Sequence, residues 1–497
     1  MQLQFSKSAI RFLETALQDI RTAEVTQELR LPDGMPDIGR ILTTWGQIQL
    51  RSKEWQGSTV LVSGGVMVWT LYAPEDGTEP RSVESWIPFQ VKWELPQTDR
   101  EGPLLVLPLL RFADSRSLSS RKLMVRSGVS VQVRGMYPME AEVTTATDLP
   151  EDVQVLRRTY PVRLPMECGE KTFLMDEEVD LPDVATGEEK LLGLTITPQI
   201  GEKKVLTSRL VFKGQLSVHL VYRDAAGRVH SRNLLLDFSQ LTELDRSHSP
   251  EAQVDICMAV TNLEADLNQG KLRLKCGLVA QYLVDGRQML ELIQDAYSPH
   301  RQVKTEESAL ELPVILEDRT EVVTAEQSVP GQHGQAVDSV FLPDFPRIRQ
   351  TDGKTEMEFP GLFQALVYDE NDTLQGISNR WEGRLTIPTH EDSRIRTAVT
   401  AGDAQAMNSA EGMILTAPLH AAMRACTEQA FPMVTGLELG ELQEPDPNRP
   451  SLILRNCAGE TLWNLAKECG STVAAISTAN SLTGELVGEG ILLIPVI

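Results

Sequence analysis

The stretch GQLSVHLVY, residues 214–222, carries the pattern from which the fold of most of the chain is predicted. Three leucine and valine residues in it alternate with Gln, Ser and His, which is the period of a strand that buries one face. The same alternation predicts that His219 faces solvent. An acidic, glycine-bearing turn, RDAAG, follows at residues 223–227. The stretch is therefore predicted to form the first strand of a β-hairpin.

Two related stretches also end in a tyrosine, GGVMVWTLY at 64–72 and PGLFQALVY at 360–368. Upstream of the three tyrosines stand three similar motifs, ELRLP at 28–32, EVDLP at 178–182 and EQSVP at 326–330. The prolines that end these motifs are separated by 150 and then 148 residues. A steady period of this kind indicates tandem domains of common origin.

A further set of matching stretches follows each tyrosine: RKLMVRSGVSVQVRG at 121–135, GKLRLKCGLVAQYLV at 270–284 and EGMILTAPLHAAMRA at 411–425. The first of them again alternates valines with polar residues. The body is therefore predicted to be mainly β, with three tandem β-sandwich-like repeat domains of antiparallel strands. Pro418 replaces the glycine of the other two copies, so the third repeat is the most diverged. The predicted repeats span residues 23–165, 166–310 and 311–441.

Residues 1–22 are predicted to form an amphipathic helix, because the apolar residues Ile10, Leu13, Ala16, Leu17 and Ile20 fall on one helical face. Such a helix would pack on the first repeat, and docking to a partner is the alternative. At the other end of the body, the proline-rich segment LQEPDPNRP at 442–450 is predicted to be a semi-rigid linker.

Residues 451–497 differ from the body. The stretch GETLWNLAKECGSTVAAISTAN at 459–480 carries apolar residues at helical spacing, with Thr461 as N-cap and Gly470 as a left-handed stop. Ser471 or Thr472 would cap a second helix, which Asn480 would close. Apolar, extended segments lie on either side, so the predicted order is strand, helix, helix, strand, a small α+β (βααβ) module.

Composition limits the classes of function. The chain has 497 residues, with 47 Lys and Arg against 70 Asp and Glu, a net charge of −23 that disfavours nucleic acid as a partner. Its six cysteines follow no metal-binding or disulfide spacing, which favours free thiols in a reducing compartment. No apolar run long enough for membrane insertion and no signal peptide are recognised, so the chain is expected to stay in the cytoplasm.

The motifs of common enzyme classes are missing from the sequence: it contains no GxSxG, HExxH, Walker loop or dinucleotide fingerprint. Its seven histidines fall on predicted strands and loops without helical pairing. We therefore predict no catalytic residues, no metal site and no cofactor.

Two family resemblances rest on the residues quoted above. The terminal module resembles a LysM module: GETLW, AISTANSL and GILLIP match the first helix start, the second helix end and the last strand of that family. The body resembles the SPOCS domain of spore-coat-associated proteins, whose motifs are similar to LPDGMPDIGRIL at 31–42 and SSRKLMVRSGVSVQVRG at 119–135. Tandem SPOCS-like copies followed by one LysM module are the architecture of the encasement proteins of anaerobic spore formers.

This resemblance implies a non-enzymatic scaffold for spore-coat assembly. Its implied location is the mother-cell cytoplasm, at the forespore surface, and its implied partner is the morphogenetic ATPase of the coat's basement layer. LysM modules commonly bind N-acetylglucosamine polymers such as peptidoglycan or chitin in a shallow groove, although Ile491 stands here where glutamine is common. The implied groove residues, for a protein or a glycan, are Gly459, Glu460, Thr461, Leu462, Ser481, Leu482, Thr483, Gly484 and Ile491.

Two other functions remain open at this point. The first is a cell-wall protein whose LysM module binds peptidoglycan while the β domains present something else. The second is a tail or baseplate component of a phage-like contractile machine, since such machines also carry LysM modules on β scaffolds.

Overall fold

The computed structural model describes residues 2–3, 6–96, 101–145, 149–181, 188–388, 392–443, 448–456, 459–482 and 490–497. Within these residues the chain is 77% strand and has two short helices, so the prediction of a mainly β protein is confirmed. The strands before residue 440 form three units, which we define as residues 6–145, 154–297 and 303–439.

The first unit follows a two-residue strand and contains six strands. In order these are β1 (Gln2–Leu3), then β2 (Ser6–Arg30), β3 (Ile38–Gln56), β4 (Thr59–Pro74), β5 (Arg81–Glu94), β6 (Leu104–Ser119) and β7 (Lys122–Thr145). The second unit also has six strands: β8 (Gln154–Asp180), β9 (Lys190–Leu206), β10 (Arg209–Arg223), β11 (Val229–Glu243), β12 (Gln253–Asn268) and β13 (Lys271–Tyr297).

In the third unit two of the corresponding strands are split in two. Its strands are β14 (Val303–Pro330), β15 (Gln335–Pro343), β16 (Arg347–Thr351), β17 (Lys354–Tyr368), β18 (Leu374–Pro388), β19 (Arg394–Ala401), β20 (Gln405–Ser409) and β21 (Gly412–Leu439). The chain ends with β22 (Leu452–Asn456), α1 (Leu462–Cys469), α2 (Val473–Asn480) and β23 (Ile491–Pro495).

All three units pair their strands in one order, and every pairing is antiparallel. The last strand of each unit lies between the first strand and the strand before the last. The resulting sheets are β2-β7-β6, β8-β13-β12 and, in the third unit, β21 between β14 and the split strand β19 and β20. The middle strands form a separate meander, which is β3-β4-β5 in the first unit, β9-β10-β11 in the second, and β17 between β18 and the split strand β15 and β16 in the third.

One residue bulges out of the long first strand at the same place in each unit. The skipped residues are Ala16, Met166 and Leu316, which stand 150 residues apart. A bulge bends its strand and raises the local twist. The part of the first strand before the bulge therefore leaves the sheet and runs with the end of the last strand as a two-stranded arm.

The tyrosines singled out in the sequence lie in the middle strand of each meander. Tyr72 lies near the end of β4, Tyr222 near the end of β10 and Tyr368 at the end of β17, and all three are buried. Tyr72 donates a hydrogen bond from its hydroxyl to the carbonyl of Pro36, 3.0 Å away. The hydroxyl of Tyr368 instead accepts from the backbone N–H of Val229 in the second unit, at 2.9 Å.

The apolar cores are shared between units. One cluster contains Phe12 of the first arm, Leu164 and Leu292 of the second, and Leu312 and Phe431 of the third. A two-stranded ribbon is only marginally stable in water, so each arm depends on the apolar faces of the other two.

The predicted N-terminal helix is wrong, because residues 6–30 form the single strand β2 paired with β7. Around the bulge this strand is covered on both faces: Phe12 packs among the arms, while Leu13 and Leu17 join two other clusters. Burial on both faces, together with the extra residue at Ala16, interrupts the two-residue alternation of a strand. The remaining apolar spacing of three and four residues imitates a helix.

The predicted repeat boundaries fall inside strands. Residues 22, 165 and 310 lie within β2, β8 and β14 respectively. The motifs ELRLP, EVDLP and EQSVP mark the end of the first strand rather than its beginning. A repeat counted from these motifs therefore starts one strand too late.

Buried glutamines join neighbouring units. Gln281 in β13 accepts a hydrogen bond from the backbone N–H of Val106 at 2.8 Å and donates to its carbonyl at 2.7 Å, linking the second unit to the first. Gln132, at the corresponding position of β7, donates to the carbonyl of Thr397 in the third unit at 3.0 Å. Each amide satisfies backbone groups of a strand at the edge of its sheet.

Replacing Gln281 by Ala should destabilise the protein. The change leaves the buried N–H and C=O of Val106 without this partner, at a cost of about 1–3 kcal/mol for each buried group. Urea unfolding would measure the loss as a lower midpoint. The control is Gln215→Ala, which removes an exposed amide bonded to Asp237 and should shift the midpoint far less. Equal midpoints for the two variants would contradict a role for Gln281 in joining the units.

Candidate functional site

The terminal module begins with capped helices. The side chain of Thr461 accepts a hydrogen bond from the N–H of Asn464, and that of Thr472 accepts from Ala475, so both predicted N-caps are confirmed. Gly470 ends α1 in the left-handed conformation at φ 64°, also as predicted. The left-handed residue that ends α2 is Ser481, not Asn480.

Asn480 has a role that the sequence analysis did not identify. Its side-chain amide donates to the carbonyl of Leu493 and accepts from the N–H of the same residue at 2.8 Å, while also donating to Ile476 at 2.8 Å. Asn480 therefore fastens the end of α2 to β23. The sequence pattern that could have indicated this role is an asparagine at the end of a predicted helix, followed by a predicted strand.

The predicted groove residues that the structure describes lie in three segments of this module: before and at the start of α1, after α2 and in β23. Gly459 is an exposed turn residue at φ 82°, and Glu460 pairs with Arg455 at 3.3 Å just before α1. Ser481, directly after α2, is exposed. Leu482 is half-buried, and its backbone N–H donates a hydrogen bond to the carbonyl of Ser477. Thr483 and Gly484 lie outside the described residues.

Ile491 lies on an apolar face of the two-stranded terminal sheet. Strands β22 and β23 pair Leu454 with Leu493 and Asn456 with Ile491, and the inward residues Leu492 and Ile494 are buried. Because side chains alternate along a strand, the outward apolar residues share the opposite face. That face, which we call the terminal sheet face, consists of Leu452, Leu454, Ile491 and Leu493, of which Ile491 is 71% and Leu454 67% exposed.

The helical side of the module packs on the second unit. The ring of Trp463 meets that of Tyr297 edge to face at a centroid distance of 4.8 Å. Its indole N–H donates to Asp295 at 2.8 Å, and Lys467 pairs with the same carboxylate at 2.8 Å. Tyr297, at the end of β13, also donates its hydroxyl proton to the carbonyl of Ser471 at 3.0 Å. Trp463 is thus an anchor to the body.

The motifs behind the SPOCS resemblance meet in the first unit. Arg121, from the later motif, donates to the carbonyls of Pro32 and Met35 and to the carboxylate of Asp37 at 2.7 Å, all in the entry motif. Hydrogen bonds from Arg121 and Ser120 lower the pKa of Asp37. These polar residues therefore hold a loop in place, and the geometry gives them a structural role.

A cavity of about 220 Å³ lies where the three units meet, and we call it the axial cavity. Residues of β3, β9 and β15 line it, one strand from each unit. Asp338 of the third unit lies 2.7 Å from the Nε2 of His219 in the second unit and accepts a hydrogen bond from the indole of Trp45 in the first at 3.1 Å. One carboxylate therefore connects all three units.

The prediction that His219 faces solvent is wrong, since its side chain is only 16% exposed. The face of β10 that would be outermost in an isolated sheet is covered here by the third unit. Burial by itself lowers the pKa of His219, but the Asp338 carboxylate and its hydrogen bonds outweigh burial and raise that pKa to about 9.

Five of the six cysteines, all except Cys457, lie among the described residues and are free thiols. Burial raises the pKa of Cys168 and Cys276 to about 12 and that of Cys257 to about 11. Such thiols are poor nucleophiles and poor metal ligands at neutral pH. In the described part of the chain, no three His, Cys, Asp or Glu side chains are grouped as metal ligands.

Alanine substitutions at Leu462 and at Ile491 should differ in their effect on stability. Leu462 was expected to lie in the groove, but it is 3% exposed and belongs to the core of the module. Leu462→Ala should cost about 2–5 kcal/mol, whereas Ile491→Ala should change stability by about 0.5 kcal/mol or less. Differential scanning calorimetry of the wild type and the two variants would measure the losses. Comparable losses for both variants would contradict the assigned burial.

The pair of His219 and Asp338 should make stability depend on pH. The pKa of His219 is about 9 in the folded protein and about 6.5 in the unfolded chain, so protonated His219 favours folding. This contribution is fully present below pH ~6.5 and is lost as pH rises through about 9. Thermal unfolding across that range should show a decline that His219→Gln removes and the exposed control His420→Gln keeps. A decline that persists in His219→Gln would exclude this pair as its source.

Two general comparisons complete the description. Among the described residues no helix is long and apolar enough to cross a membrane. Comparison of the chain with protein-family models, with curated proteins and with solved structures finds no match in any of the three.

Proposed function

We propose that the chain is a non-enzymatic scaffold for spore-coat assembly whose terminal LysM-like module docks a partner protein. In this proposal the three units are copies of one SPOCS-like β-sandwich domain. The common strand order and the equivalent bulges at Ala16, Met166 and Leu316 support a common origin of the three units. The family resemblance supplies the biological setting and the candidate partner, the morphogenetic ATPase of the coat's basement layer.

The observation that carries the docking proposal is the terminal sheet face. Four large aliphatic side chains there remain in water although the rest of the module has an ordinary buried core. Covering apolar surface stabilises a complex by about 25 cal/mol for each Å² removed from water. A flat face of Leu and Ile residues is suited to the apolar centre of a protein interface.

The same module is less suited to a glycan. Trp463 is the single aromatic residue of the segment 448–497, and its ring and N–H are engaged by Tyr297 and Asp295. The one aromatic ring on which a sugar could stack in the module is therefore already in contact with Tyr297. Peptidoglycan binding through the predicted groove is the alternative that an experiment must separate from docking.

Binding of the purified coat ATPase by the full-length protein would test the proposal. Leu454→Asp and Ile491→Asp should each weaken binding by about tenfold or more, because a charge would be buried in the interface. The melting temperature should change by about 2 °C or less, since both side chains are exposed. The matched control is Leu174→Asp, which places the same charge at a 62% exposed leucine of the second unit.

Two results would contradict docking through this face. One is unchanged ATPase binding by both aspartate variants. The other is sedimentation of the wild-type protein with purified peptidoglycan, together with no binding to the ATPase, which would favour the cell-wall function instead.

A further inference from the structure

The two edges of the terminal sheet differ. On the outer edge of β23, the side-chain amide of Asn480 bonds both the N–H and the carbonyl of Leu493. Pro495, further along the same strand, has no N–H. An unpaired strand edge is a template for pairing with another strand, and proteins commonly block such edges. The edge of β23 is blocked by these two residues.

The register of the terminal sheet shows which groups lie on the outer edge of β22. Because the N–H and carbonyl of Leu493 point away from β22, its partner Leu454 forms a non-hydrogen-bonded pair with it. The N–H and carbonyl of Leu454 therefore point away from β23. The N–H of Val496 donates to the carbonyl of Ser451 at 3.0 Å, as this alternation requires.

Three residues present backbone groups on the outer edge of β22. Since the direction alternates along a strand, Leu452 and Asn456 point the same way as Leu454. In the described part of the chain only β23 pairs with β22, and these three residues make no backbone hydrogen bond on the outer edge. This edge is therefore open, in contrast to that of β23.

The side chains of β22 do not protect its edge. Leu452 and Leu454 belong to the terminal sheet face and are 45% and 67% exposed. Arg455 is the one charged residue of the strand. Its side chain lies on the opposite face, where it pairs with Glu460 at 3.3 Å and Glu468 at 2.9 Å. The edge thus lacks the proline or outward charge that usually prevents pairing.

The open edge is complementary to a second copy of itself. In an antiparallel arrangement about a two-fold axis at Leu454, this residue faces Leu454 of the second copy, and Leu452 faces Asn456 of the second copy. Each opposed pair can exchange both of its N–H···O bonds, so all outward groups of the three residues are used. Arg455 faces Ile453 of the second copy, and no like charges lie directly opposite each other.

We infer that two copies of the chain associate by pairing their β22 strands, which joins their two-stranded terminal sheets into one sheet of four antiparallel strands. The terminal sheet faces of both copies then lie side by side, with the two Leu454 side chains in contact at the centre. This contact removes apolar surface from water and adds to the backbone hydrogen bonds. Self-association of this kind needs no coat ATPase and is separate from the docking function.

Sedimentation equilibrium of the full-length protein alone would test this inference. We expect a monomer–dimer equilibrium with a Kd of about 100 µM or lower, measured at concentrations up to about 200 µM. At an ionic strength of about 0.15 M the Debye length is about 8 Å, so the repulsion between two chains of net charge −23 is largely screened. A chain that stays monomeric over this range would overturn the inference and leave ATPase docking unaffected.

A proline on the open edge would test the role of the backbone. Asn456→Pro removes an outward N–H that the terminal sheet does not use, so the module should stay folded while the Kd of the dimer rises about tenfold or more. The matched control is Asn456→Ala, which loses the same side chain, keeps the N–H and should dimerise like the wild type. Thermal unfolding of both variants would check their folding. Equal dimerisation of the two folded variants would contradict pairing through β22.

Opposite charges at Leu454 would test the two-fold arrangement. Leu454→Asp and Leu454→Lys should each dimerise about tenfold more weakly than the wild type, because like charges would lie opposite each other at the axis. An equimolar mixture of the two variants should dimerise again, since a carboxylate then faces an ammonium group. A mixture that associates no better than either variant alone would overturn the inference.

Discussion

In every unit the first strand pairs with the last along most of its length, and this antiparallel pairing determines where the other elements lie. Beyond the bulge, the last strand also accepts the strand before it and so builds a three-stranded sheet. Before the bulge, the two long strands extend beyond that sheet as an arm, which in the third unit also pairs with the two-residue strand β1. The apolar residues of each arm pack against the arms of the other units. A single ribbon could not hide these residues from water. The three units therefore form one interdependent structure, even though each has its own sheets.

This constraint explains what the sequence could predict. The alternation in GQLSVHLVY and the turn after it are local signals, and they indicate a hairpin without knowledge of its neighbours. Tyr72, Tyr222 and Tyr368 recur because each occupies the same buried place near the end of a middle strand. The capped helices near the C-terminus were predictable for the same reason, since Thr461, Thr472 and Gly470 act within a few residues of themselves.

The failures concern residues whose environment comes from another unit. His219 lies on a face that is exposed in a single hairpin, and only assembly brings Asp338 against it. The segment before the bulge imitated a helix because two separate clusters bury its two faces. Leu462 was assigned to a groove by its position in a motif, but the burial of its side chain is decided by the helix that carries it. Contacts between residues far apart in the sequence leave no local pattern, whereas the two strands of a hairpin are close enough in sequence to be recognised together.

The interfaces between units are not equivalent, and the difference can specify their arrangement. Leu105, Asp255 and Arg396 occupy one register position in the strand before the last of the three units. The leucine packs in an apolar cluster, while the other two form an ion pair. A buried ion pair adds little net stability, but a misplaced unit would leave Arg396 or Asp255 buried without its partner, at a cost of several kcal/mol. Charge at this position thus disfavours wrong pairings more than it strengthens the right one.

The terminal module likewise depends on contacts with the body, and these contacts determine which of its surfaces stays exposed. A domain of about 47 residues buries too little apolar surface to be very stable alone, and contacts of Trp463 and Lys467 with Asp295 and Tyr297 add to its own core. These contacts use the side of the module formed by α1 and the start of α2. The two-stranded terminal sheet lies on the other side of the buried core, so Leu454 and Ile491 stay in water because the body already occupies the helical side. Anchoring by Trp463 therefore both stabilises the module and fixes which of its surfaces is left for another molecule.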